Sequence, residues 1–141
     1  MLRFYLPPLQ ILVLTVVNFV LSAVVFSPAM PWFAAWARAV GAEPGKKEMT
    51  KEEAKGMPLL FGGAIVSSFL MPAGLSVLVG SLGAATFLDG ALLGLCAWLA
   101  FSVPQALNSR FEGRKPLVLL INGILYLVTW TLYGGMLAIW R

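Results

Sequence analysis

The stretch PLVLLINGILYLVTWTLYGGMLAIW, residues 116–140, carries no charged side chain. In water so long an apolar surface would aggregate. In lipid it is close to the roughly 20 residues that a helix needs to cross a hydrocarbon core of about 30 Å. Three further uncharged stretches of similar length lie at residues 9–27, 59–79 and 90–108. The sequence therefore predicts an all-α integral membrane protein, a bundle of four transmembrane helices formed by a single domain, residues 1–141.

The composition also indicates a membrane protein, and it offers little support for a catalytic function. Of the residues, 60% are hydrophobic and 11% charged, which is typical of a membrane protein. The chain has no histidine and one cysteine, Cys96, so it lacks the commonest metal ligand and general base and cannot form an intrachain disulfide. We expect no catalytic residue, no metal and no cofactor. We therefore expect that the protein is not an enzyme. We also expect no nucleic-acid partner. The net charge of +4 is explained by basic residues in loops that flank the membrane.

The basic residues define a topology. The loops after the first and third stretches hold eight of the ten Lys and Arg residues: Arg38, Lys46, Lys47, Lys51, Lys55, Arg110, Arg114 and Lys115. The opposite side holds only Arg3 and Arg141. Because cytoplasmic loops carry the excess of Lys and Arg, both basic loops are predicted to be cytoplasmic. Both termini then lie on the non-cytoplasmic side of a bacterial inner membrane or a plasma membrane.

The first basic loop is predicted to contain a short helix. Pro31 suits a first helical turn, and Gly41 is a plausible stop. Trp32 and Trp36 fall on one face, which is typical of a helix that lies in the headgroup region and is anchored by its indole rings.

Two further helix starts are encoded locally. Thr50 with Glu53 fits a capping box that opens a charged helix leading toward Gly56-Met57-Pro58 and the second span. Thr86 with Asp89 has the same spacing before the third span, so Asp89 is interpreted as a cap.

Polar residues inside the spans recur three and four positions apart, so they share helix faces. In the third span, for example, Ser102, Gln105 and Ser109 follow this spacing beside Trp98. Amides that face lipid without a partner are costly, so we expect these groups to point into the bundle. They would act either as hydrogen bonds between helices or as the lining of a cavity for a small neutral or zwitterionic molecule. The candidate interior site consists of Asn18, Gln105, Asn122 and Tyr126.

Small residues and prolines mark further features. Gly90 and Gly94 form a GxxxG motif, and Gly63 with Ser67 forms a weaker small-residue pair, both typical of close helix contacts. Such contacts can lie within one chain or between chains. Pro72 and Pro104 remove backbone donors inside spans and are predicted to kink them.

The turn between the third and fourth spans is the densest polar segment. Its basic residues Arg110, Arg114 and Lys115 are the candidate contacts for an anionic lipid phosphate. Glu112 can pair with a neighbouring arginine, and no second acid or base accompanies it as a catalytic group would require.

Several of these segments together resemble a known family. They are Asn18, Ser27-Pro28 with Trp32 and Trp36, Asp89-Gly90, Trp98-Leu99-Ala100-Phe101, Pro104, Asn108, Phe111-Glu112-Gly113-Arg114, Ile121-Asn122, Tyr126 and the terminal segment from Gly135 to Trp140. The chain resembles an uncharacterised family of small membrane proteins, domain of unknown function 1761. Ala100 departs from the family pattern, where glycine is usual. The resemblance implies four spans and no established activity.

Two classes of function remain. One is an accessory or scaffolding subunit that packs on other membrane subunits or on copies of itself. The other is a small carrier, channel or lipid-binding protein that uses the polar interior. Membrane lipids are expected partners in either case. The uncharged spans argue against a proton-coupled pump, which needs an intramembrane acid or histidine relay.

Overall fold

A computed structural model describes residues 6–44 and 50–140, except for the side chain of Glu53. These residues form helices and turns without a strand: α1 (Pro8–Val25), α2 (Phe33–Ala39), α3 (Lys51–Leu82), α4 (Phe87–Ala97), a π-helical turn (Trp98–Ser102), α5 (Val103–Phe111) and α6 (Pro116–Ile139). Four segments of the described chain are long and apolar enough to cross a membrane: Pro8–Val25, Ala54–Leu82, Phe87–Phe111 and Pro116–Ile139. The predicted fold class is confirmed.

Helix limits follow from local chemistry. Pro8 and Pro116 stand in the first turns of α1 and α6, where a missing backbone N–H costs nothing. The first span ends at Val25, two residues earlier than expected, because Pro28 disfavours helical backbone at Ser27. Thr86 and Asp89 form the predicted capping box: the Asp89 N–H donates to the Thr86 hydroxyl at 3.1 Å, and the Thr86 N–H donates to the carboxylate at 3.2 Å.

The second span differs from its predicted limits. Instead of a separate charged helix leading to a span at 59–79, one continuous helix, α3, runs through Pro58 and Pro72. At about 1.5 Å per residue this helix is longer than a hydrocarbon core. Its first turns with Lys51 and Lys55 therefore extend beyond the apolar segment. Helix α3 begins directly after Thr50, as expected, but the Glu53 side chain of the expected capping box lies outside the described residues.

The third span also departs from a plain helix. A π-helical turn separates α4 from α5, and the Val103 N–H donates to the carbonyl of Trp98, five residues earlier. Pro104 consequently falls in the first turn of α5. The chain accommodates the proline by widening the helix just before it, where the sequence predicted a kink.

The predicted short helix is present as α2. The Trp32 indole N–H donates to the carbonyl of Val25 at 2.9 Å, and the Trp36 ring packs on Phe26 with ring centroids 4.9 Å apart. Gly41, with φ +83°, ends the helix as expected: its N–H and that of Ala42 bond back to Arg38 and Ala37. The two indoles thus fix α2 to the end of α1. Its position in the headgroup region stays a prediction.

The spans run in alternating directions, so the bundle has two distinct ends. The basic end contains residues 26–44 and 112–115, and the terminal end contains residues 83–86, Leu6 and Trp140. The Gln10 amide donates to the Trp140 carbonyl at 3.4 Å, which brings the first and last spans together at the terminal end. Lys46, Lys47, Arg3 and Arg141, which entered the topology prediction, lie outside the described residues.

Packing differs sharply between the two ends. Near the terminal end all four spans contribute buried residues, including Leu14, Leu75, Val79, Tyr133 and Leu137. Toward the basic end, buried residues are absent from 19–25 of α1, from the π turn and from α5, and from 51–67 of α3 apart from the undescribed Glu53 side chain. In residues 116–124 of α6 only Val118 is buried. The bundle is therefore closed at its terminal end and open at its basic end.

Candidate functional site

The buried polar contact between α1 and α3 involves one of the predicted residues. Asn18 is 6% exposed and donates its amide N–H to the Ser68 hydroxyl, itself 4% exposed, at 3.2 Å. A hydrogen bond between two buried side chains on different spans is the arrangement expected of interhelical glue. Ser68 was not identified as a partner from the sequence, although a serine in the middle of the apolar α3 segment was the available signal.

The structure does not bring the other interior candidates to Asn18. Gln105 is exposed on α5 and lines an open cleft of about 540 Å³. The cleft is formed by residues between Ala100 and Arg114, and neither Asn18 nor Asn122 belongs to it. On α6, Asn122 is half-buried and Tyr126 is 41% exposed. The four residues therefore do not line one shared cavity in the described structure.

The cleft beside Gln105 combines amide, hydroxyl and charged groups. Asn108, Ser109, Glu112 and Arg114 line it with Gln105, on one face of α5 and the turn that follows. The Ser109 hydroxyl donates to the Gln105 carbonyl at 2.9 Å, so it is used within the helix. This arrangement provides an outward-facing polar surface at the basic end. Among the described residues, no group of three or more His, Cys, Asp and Glu side chains could hold a metal.

The basic turn is shaped by its own residues. Gly113, with φ +82°, lets the chain reverse after α5, and the Arg110 guanidinium donates to the Arg114 carbonyl at 2.7 Å. The Arg114 side chain lies 3.8 Å from the Glu112 carboxylate, and both are largely exposed. Such an exposed pair contributes little to stability. Arg110, Arg114 and Lys115 thus gather three positive charges beside one carboxylate.

The GxxxG residues form a close contact inside the chain. Gly90 and Gly94 are buried against α6, and a methyl group built on either would overlap a backbone carbonyl, that of Gly134 or of Trp130 respectively. Gly134 in turn faces the carbonyl of Gly90. Because the Gly90 and Gly94 surface is already occupied by α6, it is not available to another chain. The sequence signal for the partner surface was the Gly134-Gly135 pair.

Gly63 and Ser67 lie in the open half and remain uncovered. Both are exposed on α3, and a methyl group built on Gly63 meets no atom within 4 Å. Gly62, the preceding residue, is also exposed and equally open. The second small-residue pair is therefore directed away from the rest of the chain.

Two features of the fold were not anticipated from sequence. The Trp98 indole N–H donates to the Gly123 carbonyl at 3.0 Å, which joins the π turn to α6. The Tyr133 hydroxyl is buried and has no hydrogen-bond partner in the described part of the chain. The sequence shows that residue 98 is tryptophan and residue 123 is glycine. Nothing in their spacing predicts that Trp98 and Gly123 make a hydrogen bond.

Comparison with known protein families identifies a match over most of the chain. The model of a protein family described as "Protein of unknown function (DUF1761)" matches residues 9–138. No curated protein and no solved structure matches the chain.

Proposed function

Because that match covers most of its length, the chain belongs to the DUF1761 family, and we propose that it is an accessory subunit of a larger membrane assembly. The assembly contains further copies of the chain or other membrane subunits. The observation that carries the proposal is the open basic half of the bundle, where the only buried residue in the described parts of the four spans is Val118.

The open half matters because of what holds membrane helices together. Lipid tails are as apolar as leucine, so close packing and interhelical hydrogen bonds stabilise the bundle, with little help from the hydrophobic effect. In a bundle that packs along only half of its length, the helix surfaces of the other half have no packing partner. Contact with another protein would supply the missing packing.

The residues on the open face of α3 support a protein contact. Gly62, Gly63 and Ser67 are exposed there, between larger exposed side chains such as Phe61 and Ile65. Small residues let another helix approach closely, and the larger ones beside them can interdigitate with it. The neighbouring lipid-facing surface of α4, by contrast, presents leucines such as Leu88 and Leu92.

The exposed amides of α5 also support a contact with another protein. Gln105 and Asn108 are exposed on the third candidate span, close to its basic end. An amide without a partner in an apolar environment costs several kcal/mol in the least favourable case. A polar surface from another subunit would remove that cost at Gln105. A carrier function has less support, because the polar residues do not converge on one enclosed cavity.

A substitution on the open face tests the proposal. We expect wild-type protein, extracted in mild detergent, to migrate as an assembly larger than a monomer in native electrophoresis and native mass spectrometry. Gly63→Leu should shift it toward monomer while the chain remains inserted and helical. The matched control is Gly74→Leu, on the same helix in the closed half, where a built methyl group also meets open space.

The control separates a contact effect from a general one. Gly74→Leu should leave the assembly at its wild-type size. A wild-type monomer that keeps its stability in several mild detergents would contradict the proposal. Equal effects of the two leucine substitutions would contradict the assignment to this face.

A further inference from the structure

An apolar groove runs along the contact between α5 and α6, separate from the polar cleft around Gln105. It has a volume of about 280 Å³, and its walls include Val103, Leu107, Leu119, Leu120, Ile124 and Leu127. These side chains come from two spans that lie side by side over roughly three helical turns. The groove is therefore an elongated apolar surface that is open to the surrounding membrane.

The floor of the groove is held at Gly123. The Trp98 indole donates its N–H to the Gly123 carbonyl, which fixes the distance between the π turn and α6. Gly123 itself leaves the groove empty, since a methyl group built on it meets no atom within 4 Å. The absent side chain thus creates space at a point where the two helices are tied together.

The mouth of the groove lies beside the basic turn. Leu107 precedes Arg110 by three residues and Leu119 follows Lys115 by four, so each is about one helical turn, roughly 5.4 Å, from the turn. Arg110 and Lys115 are exposed there and outnumber Glu112, the carboxylate of the same turn, whereas Arg114 lines the polar cleft together with Glu112. The site thus combines an apolar groove with a positively charged mouth.

This combination matches the chemistry of an anionic phospholipid. An acyl chain would pack against the apolar side chains of the groove. A headgroup phosphate would lie among the guanidinium and ammonium groups. A partner helix fits less well, because a helix with its side chains is about 10–12 Å across and needs a flat surface of small residues. Ser102, Ala106 and Gly123 are the small residues among the ten that line the groove, and the other seven are large.

We propose that the α5–α6 groove and the basic turn form a binding site for one anionic phospholipid of the leaflet at the basic end. The acyl chain lies against Leu107, Leu119 and Ile124. The headgroup contacts Arg110 and Lys115, and the Arg110 guanidinium also donates to the Arg114 carbonyl. This proposal is independent of the assembly through α3, which involves a different face.

Native mass spectrometry of the purified full chain, titrated in detergent with dioleoyl phosphatidylglycerol or phosphatidylcholine, tests the site. We expect phosphatidylglycerol to bind at least about fivefold more tightly, since each nearby basic residue favours an anionic lipid by about that factor. The double variant Arg110→Gln/Lys115→Gln should abolish the preference. The control Lys51→Gln/Lys55→Gln removes the same charge from α3 and should preserve it.

A second variant tests the groove itself. Gly123→Phe should fill the groove and lower the affinity for both lipids by about fivefold or more. Failure of either prediction overturns the proposal: an unchanged preference in Arg110→Gln/Lys115→Gln, or unchanged lipid affinity in Gly123→Phe. Efficient disulfide cross-linking between copies through Gly123→Cys would also overturn it, because the groove would then contain a second chain.

Discussion

At the scale of single residues, the substitution Tyr133→Phe is predicted not to lower the free energy of unfolding, although substitutions of buried residues usually do. The Tyr133 side chain is 2% exposed, and its hydroxyl is buried without a partner among the described residues. A buried donor that makes no hydrogen bond loses its hydration without compensation. Tyr133→Phe should therefore leave the free energy of unfolding unchanged or raise it by up to about 1 kcal/mol.

Asn18→Leu is the comparison for that measurement, because Asn18 does make a buried bond, to Ser68. It should lower the free energy of unfolding by roughly 0.6–1 kcal/mol, the usual range for hydrogen bonds between membrane helices. Unfolding in mixed micelles measures both variants. A loss above about 1 kcal/mol in Tyr133→Phe would mean that the hydroxyl has a partner, such as a buried water.

Residue-level inference from sequence worked where the interaction is local. Thr86 and Asp89 lie three positions apart, so their spacing alone specified the capping box. The prediction of an inward face for Gln105 beside Trp98 assumed a regular helix, whereas the Gln105 side chain is exposed. The π turn adds about one residue to a helical turn, which rotates the following side chains by roughly 100°. Gln105 consequently faces outward.

At the scale of the elements, the contact between α4 and α6 depends on glycine. Gly94→Ala should destabilise the chain by roughly 2 kcal/mol or more, because the new methyl group overlaps the Trp130 carbonyl and forces the helices apart. Gly74→Ala, in open space on α3, should be neutral or stabilising, since alanine favours helix. Thermal unfolding in detergent distinguishes them, and equal stability of the two variants would refute the dependence of the α4–α6 contact on glycine.

The limits of the elements show what hydropathy can and cannot specify. Each of the four uncharged stretches overlaps one of the four helical segments that are long and apolar enough to cross a membrane, because a lipid core imposes both length and composition. The continuous helix α3 was missed since Gly56 and Pro58 are usually breakers. Near a helix end the carbonyl of Ala54, which Pro58 leaves without its helical donor, can reach water, so the proline is tolerated there. The partner of Gly90 and Gly94 was also missed, because pairing between distant helices leaves no local spacing.

At the scale of the whole molecule, orientation is open to a direct test. With Cys96 replaced by Ala, Ala42→Cys at the basic end should resist a membrane-impermeant thiol reagent in intact cells. Ala85→Cys, at the terminal end, should be labelled, because both positions are exposed and the basic loops are predicted to be cytoplasmic. Labelling of Ala42→Cys with protection of Ala85→Cys would reverse the topology.

The central claim is that another protein covers the open half of the bundle. Ile65 in that half and Leu92 in the closed half are 53% and 50% exposed, so a chain surrounded only by lipid presents them almost equally. A photo-crosslinking amino acid placed at each position and activated in native membranes compares the two directly. The account predicts a discrete protein adduct from position 65 and lipid adducts alone from position 92. Protein adducts of equal yield at both positions, or none at position 65, would contradict it.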